Sequence, residues 1–381
     1  MTEEKGRGLG RREWLKLSAA AGLGAAGLGA AGAGGLSRSA LAAGSAFSAA
    51  LMAAAKKEGN LNIIAIPRDW ANYGAIIDSY QKLFGVHISS YNPNGSSAQE
   101  LQAIRSLKSQ SRAPDAVDVG PSFALLGVQE KLFTPYKVAT WDEIPDDMKD
   151  PAGYWYGDYY GVISFGVNRN VAKTVPETWA DLKKPAYKGM VALNGNPLGA
   201  ASAFGSVVAA ALANGGSLDN IEPGIEFFAE LAKLGNYIPV TALPATLIGG
   251  QTPVSVDWDY LNLADKANGK GKADIEVVVP QGAPPYGSFY CQAISAYAPN
   301  PSAARLWEEY LYSDEGQLLF LAGYAHPVRF ESLAKANKVS EALLQQLPPA
   351  AAYKGVKFQT QAQAKKAQET LTKLWAKMVK M

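Results

Sequence analysis

The chain has 381 residues, with 36 basic and 34 acidic side chains, two histidines and one cysteine. So even a balance excludes the basic footprint of a nucleic-acid or membrane-surface binder, and a lone Cys291 excludes an intrachain disulfide. A chain longer than the roughly 250–300 residues at which one core stops growing is expected to fold as two lobes.

The first segment reads as an address. Residues 22–32, GLGAAGLGAAG, match the dinucleotide fingerprint G-x-G-x-x-G twice, but that loop needs a strand before it and an acid after it. No strand-like run precedes Gly22, and no acid stands between Glu13 and Glu58. Instead Arg11-Arg12-Glu13-Trp14-Leu15-Lys16 precedes an uncharged run over 17–37, followed by Ala40-Leu41-Ala42. A charged start, an apolar core and a small-x-small site make a signal peptide. Glycine and alanine dominate the core and contribute little to bilayer insertion, which disfavours a permanent anchor. RREWLK resembles a twin-arginine (Tat) export signal. Residues 1–42 hold six of the basic and three of the acidic residues, leaving 30 against 31 in 43–381. No cysteine near the cleavage site offers a lipid attachment point, so the expected location is the periplasm, in soluble form.

Beyond the signal, elements alternate. A short helix over 47–57 leads to a strand over 61–66. The apolar spacing of Ile76, Ile77, Tyr80 and Phe84 predicts a helix over 70–84. A strand over 86–89, a helix over 96–109 with a Ser97–Glu100 capping box, a strand over 116–119 and a helix from Pro121 complete a β-α-β-α-β rhythm. That rhythm indicates a parallel sheet with helices on its faces. It resumes with strands over 160–167, 190–193, 253–257, 274–279 and 288–296, and helices over 200–212, 221–234, 301–312, 313–321 and 365–381. The expected architecture is α/β in two lobes, each a mixed sheet flanked by helices, with two hinge strands and a ligand cleft between the lobes.

Catalytic signals are thin. The chain has no H-E-x-x-H, C-x-x-C or G-x-S-x-G, and His87 and His326 are expected to be structural. Asp146-Asp147, in EIPDDMKDP, reads as a solvated turn. No catalytic residue, metal site or cofactor is expected. The run Trp155 to Tyr160 reads as a lobe-bridging surface, since aromatics enrich interfaces.

Several stretches together resemble an extracytoplasmic solute-binding protein of an ABC importer, in the group with polyamine, ferric-iron, thiamine and phosphonate binders. Thr178-Trp179-Ala180-Asp181-Leu182 with Pro185, Tyr187 and Gly189 is similar to the family's entry into its second lobe. Tyr312 to Gln317, then Gly323 and Pro327-Val328-Arg329, is similar to its closing helices. The resemblance covers roughly residues 58–335. It implies a type II clamshell divided into 43–164 (lobe 1), 165–290 (lobe 2) and 291–381 (return to lobe 1 with the C-terminal helices).

Within that group the aromatic positions look most like those of polyamine binders. Asp69, Trp70 and Tyr73 follow the first strand, Ser122 follows the third, and Asp257, Trp258 and Asp259 end a second-lobe strand. Tyr290 and Gln292 stand where the family carries an aromatic and, two residues on, an aspartate. Aromatic faces attract organic cations, and a buried ammonium needs a counter-charge. Gln292 replaces that aspartate, and Asn194-Gly195-Asn196 replaces an acidic pair, which leaves Asp69, Asp118, Asp257 and Asp259 as the acids available. The resemblance thus implies a monomeric receptor, not an enzyme, that captures an amine-containing or other nitrogenous solute for a membrane permease. The alternatives are an anion binder (phosphonate or sugar phosphate) at the helix start after Asn196, or a secreted enzyme on the same scaffold.

Overall fold

The computed structural model describes residues 47–380; the signal peptide and its cleavage site, expected over 1–42, lie outside the described residues. Helix α1 (Ala49–Glu58), capped by Ser48, leads into β1 (Asn60–Ile64). There follow α2 (Tyr73–Phe84), β2 (His87–Tyr91), α3 (Ser97–Leu107), β3 (Ala116–Val119), α4 (Pro121–Gln129) and the short β4 (Phe133–Thr134). The helical spacing holds physically: Ile76, Ile77, Tyr80 and Phe84 all turn inward on α2. The capping box of α3 uses Ser96 and Gln99, one residue earlier than the Ser97–Glu100 pair expected. Glu100 is thereby released for another role.

β5 (Tyr156–Asn168) has 13 residues, all buried. It begins four residues before the expected strand, and the run Trp155–Tyr160 is interior rather than surface. Next come β6 (Val191–Leu193), α5 (Ala201–Ala213), α6 (Glu222–Leu234), α7 (Pro244–Ile248), β7 (Val254–Trp258), α8 (Asp259–Asn268), β8 (Ile275–Val278) and β9 (Gly287–Ser295). The chain ends with α9 (Pro301–Leu311), α10 (Asp314–Ala322), β10 (His326–Pro327), α11 (Phe330–Lys335), α12 (Glu341–Leu344) and α13 (Gln361–Met378).

Two sheets meet along β5. Its first half, Tyr156–Val162, pairs with β9, and β10 runs along its other edge at Tyr159 and Tyr160. With β9 next to β3, the first sheet runs β2-β1-β3-β9-β5. The second half, Ile163–Asn168, pairs antiparallel with β7 and β8, and β7 pairs parallel with β6. β1 pairs parallel with β2 and β3, as the alternating rhythm requires, whereas β9 joins antiparallel because it returns from the second sheet. Behind the hinge, Lys357 exchanges backbone hydrogen bonds with Pro285 and Gly287, and α13 seats Trp375 against Phe228 and Tyr237 of the second lobe.

Candidate functional site

The carboxyl ends of β1, β3 and β7 face a cavity of about 80 Å³ between the lobes. Its first-lobe wall grows from two loops and one helix face. After β1 the chain turns through Asp69 and Trp70 into α2, with Ala71 and Asn72 held at positive φ so that Trp70 and Tyr73 both reach the cleft. Trp70 stands edge-on to Tyr290 with ring centres 5.4 Å apart, and Tyr290 stacks on Tyr159 at 5.9 Å.

Behind these rings lies a buried polar network. The Trp70 indole N–H donates to the Tyr159 hydroxyl (2.7 Å), which donates to Asp118 Oδ2 (2.9 Å). The Tyr73 hydroxyl lies 2.9 Å from that same oxygen and 3.1 Å from Asp158 Oδ2, but it has one proton to give. Gln292 donates through Nε2 to both Tyr73 and Asp158, and Glu100 accepts the backbone N–H of Asp118 (2.9 Å). Asp118, 5% exposed, lines the cleft, yet its Oδ1 meets no hydrogen-bond donor among the described residues. Burial pushes the Asp118 carboxyl up to about 7. Burial first, and then the Asp118 charge, pushes Glu100 and Asp158 well above the usual carboxylate range. A buried carboxylate oxygen with no donor is costly until something positive or protic meets it.

The second-lobe wall is built from Asn194 after β6, the start of α5, the start of α7, and Asp257, Leu261 and Asp265 around the β7–α8 junction. Asp257 is satisfied: Ser202 and the Trp258 backbone N–H donate to Oδ1 and Asn194 donates to Oδ2, although burial still lifts it to about 6. The lobes touch directly at the rim, where the Ala98 N–H donates to the Gly199 carbonyl (3.2 Å). Gly120, ahead of α4, leaves no room for a side chain: a Cβ there would lie 2.5 Å from that of Ala201 on α5.

Of the residues expected from sequence, Asp69, Trp70, Tyr73, Asn194, Asp257 and Tyr290 line this one cleft. Five do not. Gln292 is fully buried one layer behind, orienting Tyr73 and Asp158. Trp258, 1% exposed, packs against Gly205 and Tyr286 because its side chain points to the face of β7 opposite Asp257. Asp259 turns away and accepts from the Tyr353 hydroxyl (2.7 Å) and the Val162 N–H. Asn196 closes the turn before α5 by accepting the Leu198 N–H, and Ser122 lines a smaller hollow beside Phe289 and Phe358. Sequence reasoning missed Glu100, Ser202, Asp265 and the backing Asp158. The four-residue spacing of Leu261 and Asp265 on one helix was the available signal.

Among the described residues five carboxyl groups line the cleft, those of Asp69, Glu100, Asp118, Asp257 and Asp265, and no lysine, arginine or histidine does. Among the described residues no group of three or more His, Cys, Asp or Glu side chains is placed to hold a metal ion. No described helix is long and apolar enough to cross a membrane.

Two lobes joined by β5 and β9 over a cleft give the fold of the periplasmic binding proteins. The profile of the bacterial extracellular solute-binding proteins matches residues 112–360, and the chain belongs to that family. A curated relative from Haemophilus influenzae, of uncharacterised function, is 30% identical over 199 residues, which is 49% of this chain and only 55% of that protein. The structure is similar to the periplasmic binding protein AfuA of Actinobacillus pleuropneumoniae with fructose 6-phosphate bound (18% identity, 85% of this chain and 99% of that one, TM-score 0.68). It is similar also to iron-bound HitA of Pseudomonas aeruginosa (18% identity, 82% and 97%, TM-score 0.61). At such identities the likeness concerns the fold alone.

Proposed function

We propose that this receptor captures an organic cation, an amine-containing solute, by closing its lobes over it and then presents it to a membrane permease. One observation carries the reading: among the described residues the cleft is lined by five carboxyl groups and no basic side chain, and Asp118 Oδ1 is buried without a donor. An ammonium or amidinium group supplies both the charge and the donors that this oxygen lacks. Trp70, Tyr73 and Tyr290 offer ring faces and edges around it, each cation–π contact contributing about 0.5–2 kcal/mol. Asp257 and Asn194 approach from the other lobe, so a ligand bridging both walls stabilises the closed state by its differential affinity.

The anion reading rests on the start of α5 at the cleft wall, and a phosphate there would face the carboxyls with no basic partner. In the export reading, a Tat signal over 1–42 sends a folded, monomeric receptor to the periplasm. The protein acts by binding, not by turnover. A thermal-shift panel of amines, amino acids, sugar phosphates and ferric citrate tests the proposal. A ligand at 100 times its dissociation constant adds about 2.7 kcal/mol to the folded state. The expected result is a rise in melting temperature with amines; a rise with sugar phosphates alone would overturn the cation reading.

A further inference from the structure

The short contacts around the Tyr73 hydroxyl outnumber the protons that can fill them. Three polar atoms meet that oxygen: Gln292 Nε2 at 2.8 Å, Asp118 Oδ2 at 2.9 Å and Asp158 Oδ2 at 3.1 Å. Gln292 has two amide protons, one for Tyr73 and one for Asp158 Oδ2, 3.0 Å away. Tyr159 gives its own proton to Asp118 Oδ2 and accepts one from Trp70. Tyr73 then has one proton for two carboxylate oxygens. Were both acids ionised, one of those contacts would hold two buried oxygens, one of them anionic, with no proton between them. One further proton, on a carboxyl oxygen, completes the set.

Burial decides which acid holds it. Asp158 is fully buried, whereas Asp118 lines the cleft, where its free Oδ1 can meet a positive group. The charged group that acts on Asp158 is Asp118, another acid, and burial keeps Tyr312 and Cys291 beside it protonated. A buried charge that faces only a like charge is the one a proton removes. In the same sense, burial lifts Asp158 well above the usual carboxylate range and Asp118 only to about 7. The backbone is shaped for this contact. The pairing of β5 with β9 shifts register between Gly157 and Tyr160. Asp158 and Tyr159, neighbours that a regular strand would send to opposite faces, therefore both reach one network. We propose that Asp158 is a positioning residue in its neutral acid form: it donates to Tyr73, Tyr73 donates to Asp118 Oδ2, and the charge of the pair is left on Asp118, facing the cleft through Oδ1. The role in the seat rests on the cation reading of the cleft; the proton on Asp158 does not.

Infrared spectroscopy of the protein carrying isotope-labelled aspartate reads the proton directly, since a protonated carboxyl absorbs apart from a carboxylate. At about pH 9, above the values of about 7 for Asp118 and about 8 for Asp265, the wild type is expected to keep a labelled acid band that D158N lacks. Absence of that band from the wild type overturns the proposal, whether or not any variant folds. Calorimetry with 1-aminobutane tests the role in the seat. D158A is expected to weaken binding about tenfold, the cost of an unmade buried hydrogen bond. D158N keeps an N–H for Tyr73, with Gln292 turning its unpartnered Oε1 toward the new amide, and is expected to recover most of that loss. A D158N that binds no better than D158A overturns the positioning role. If the wild type does not bind 1-aminobutane while its acid band persists, the cation reading and the positioning role fall together and the neutral Asp158 stands.

Discussion

The two walls of the cleft are built on different principles. The first-lobe wall is rigid and interlocked: Trp70, Tyr159, Tyr73, Asp118, Asp158 and Gln292 form one hydrogen-bonded unit, packed with aromatic rings. The second-lobe wall is plain by comparison, with small residues at the start of α5 and two acids, Asp257, which Ser202 and Asn194 hydrogen-bond, and Asp265 one helix on. The contrast teaches a division of labour. On the cation reading proposed above, the first lobe holds a preorganised seat for a charged group, and the second supplies a wall whose acids become favourable when a cation is present. Recognition set in a rigid network loses little entropy on binding, and a lid that depends on the ligand makes closure report occupancy.

Breaking each wall should give different signatures. Trp258 belongs to the core of the second lobe, so Trp258→Ala is expected to lower stability by about 3–5 kcal/mol, as large-to-small core changes do. Denaturant unfolding reads that loss, and it should exceed any loss of affinity per folded molecule. In the seat, Asp118→Asn should weaken amine binding about a hundredfold, in line with the 2–5 kcal/mol for truncating one side of a buried charge pair; calorimetry on the folded variant measures it. The same residue sets a pH dependence. Its carboxyl is raised in the folded state to about 7 from an ordinary 3.8, so proton binding favours the folded form. That contribution is complete below about 3.8 and is lost as pH rises through about 7, which makes the empty receptor less stable across that window. An amine that favours the ionised carboxylate should conversely bind more tightly at about pH 8 than at about pH 5, and Asp118→Asn should reduce that difference, the remainder coming from Asp257 and Asp265, which burial also raises.

Two smaller effects sharpen the comparison. Trp70→Ala removes a ring and the donor to Tyr159, and should cost about tenfold in amine affinity, near the upper range for a desolvated cation–π contact. Gly120→Ala places a methyl 2.5 Å from the Cβ of Ala201. Its expected effect is a few-fold loss of affinity, comparable to the roughly 1 kcal/mol of modest overpacking, carried mainly by faster release. Stopped-flow dissociation would separate that wedge from a change in the seat itself.

Much of the fold was legible in sequence because its signals are local. The inward face of α2, the alternation of β1 to α4 and the return of β9 all follow from spacing over a few residues. The start of β5 was not, since Tyr156 to Tyr159 are buried on both sides by β9, β10 and the flanking helices, and such a strand has no alternation to show. In the site, Trp70 and Tyr73 were legible as an aromatic pair after a strand. Trp258 and Asp257 adjoin in sequence but point to opposite faces of β7, so proximity to a cleft acid said nothing about the tryptophan. Glu100 and Asp265 were hidden because each sits on a helix whose inward face is otherwise ordinary, and only the closure of two lobes brings them to one cavity.

The place of β9 has a consequence for how the chain acquires its shape. β3 is complete by residue 119, but its partner on that edge is the strand at residues 287–295. Until more than 170 further residues have been made, β3 presents an open edge, the kind that recruits other chains, and the contact that covers it is among the most sequence-distant in the molecule. α1 likewise waits for α9, whose first-turn N–H groups at Ser302 and Ala303 are bonded by Glu58. Assembly of the first lobe is therefore a late event, completed after the second lobe's own strands exist, and a chain cut short before residue 295 would be left with an unprotected sheet.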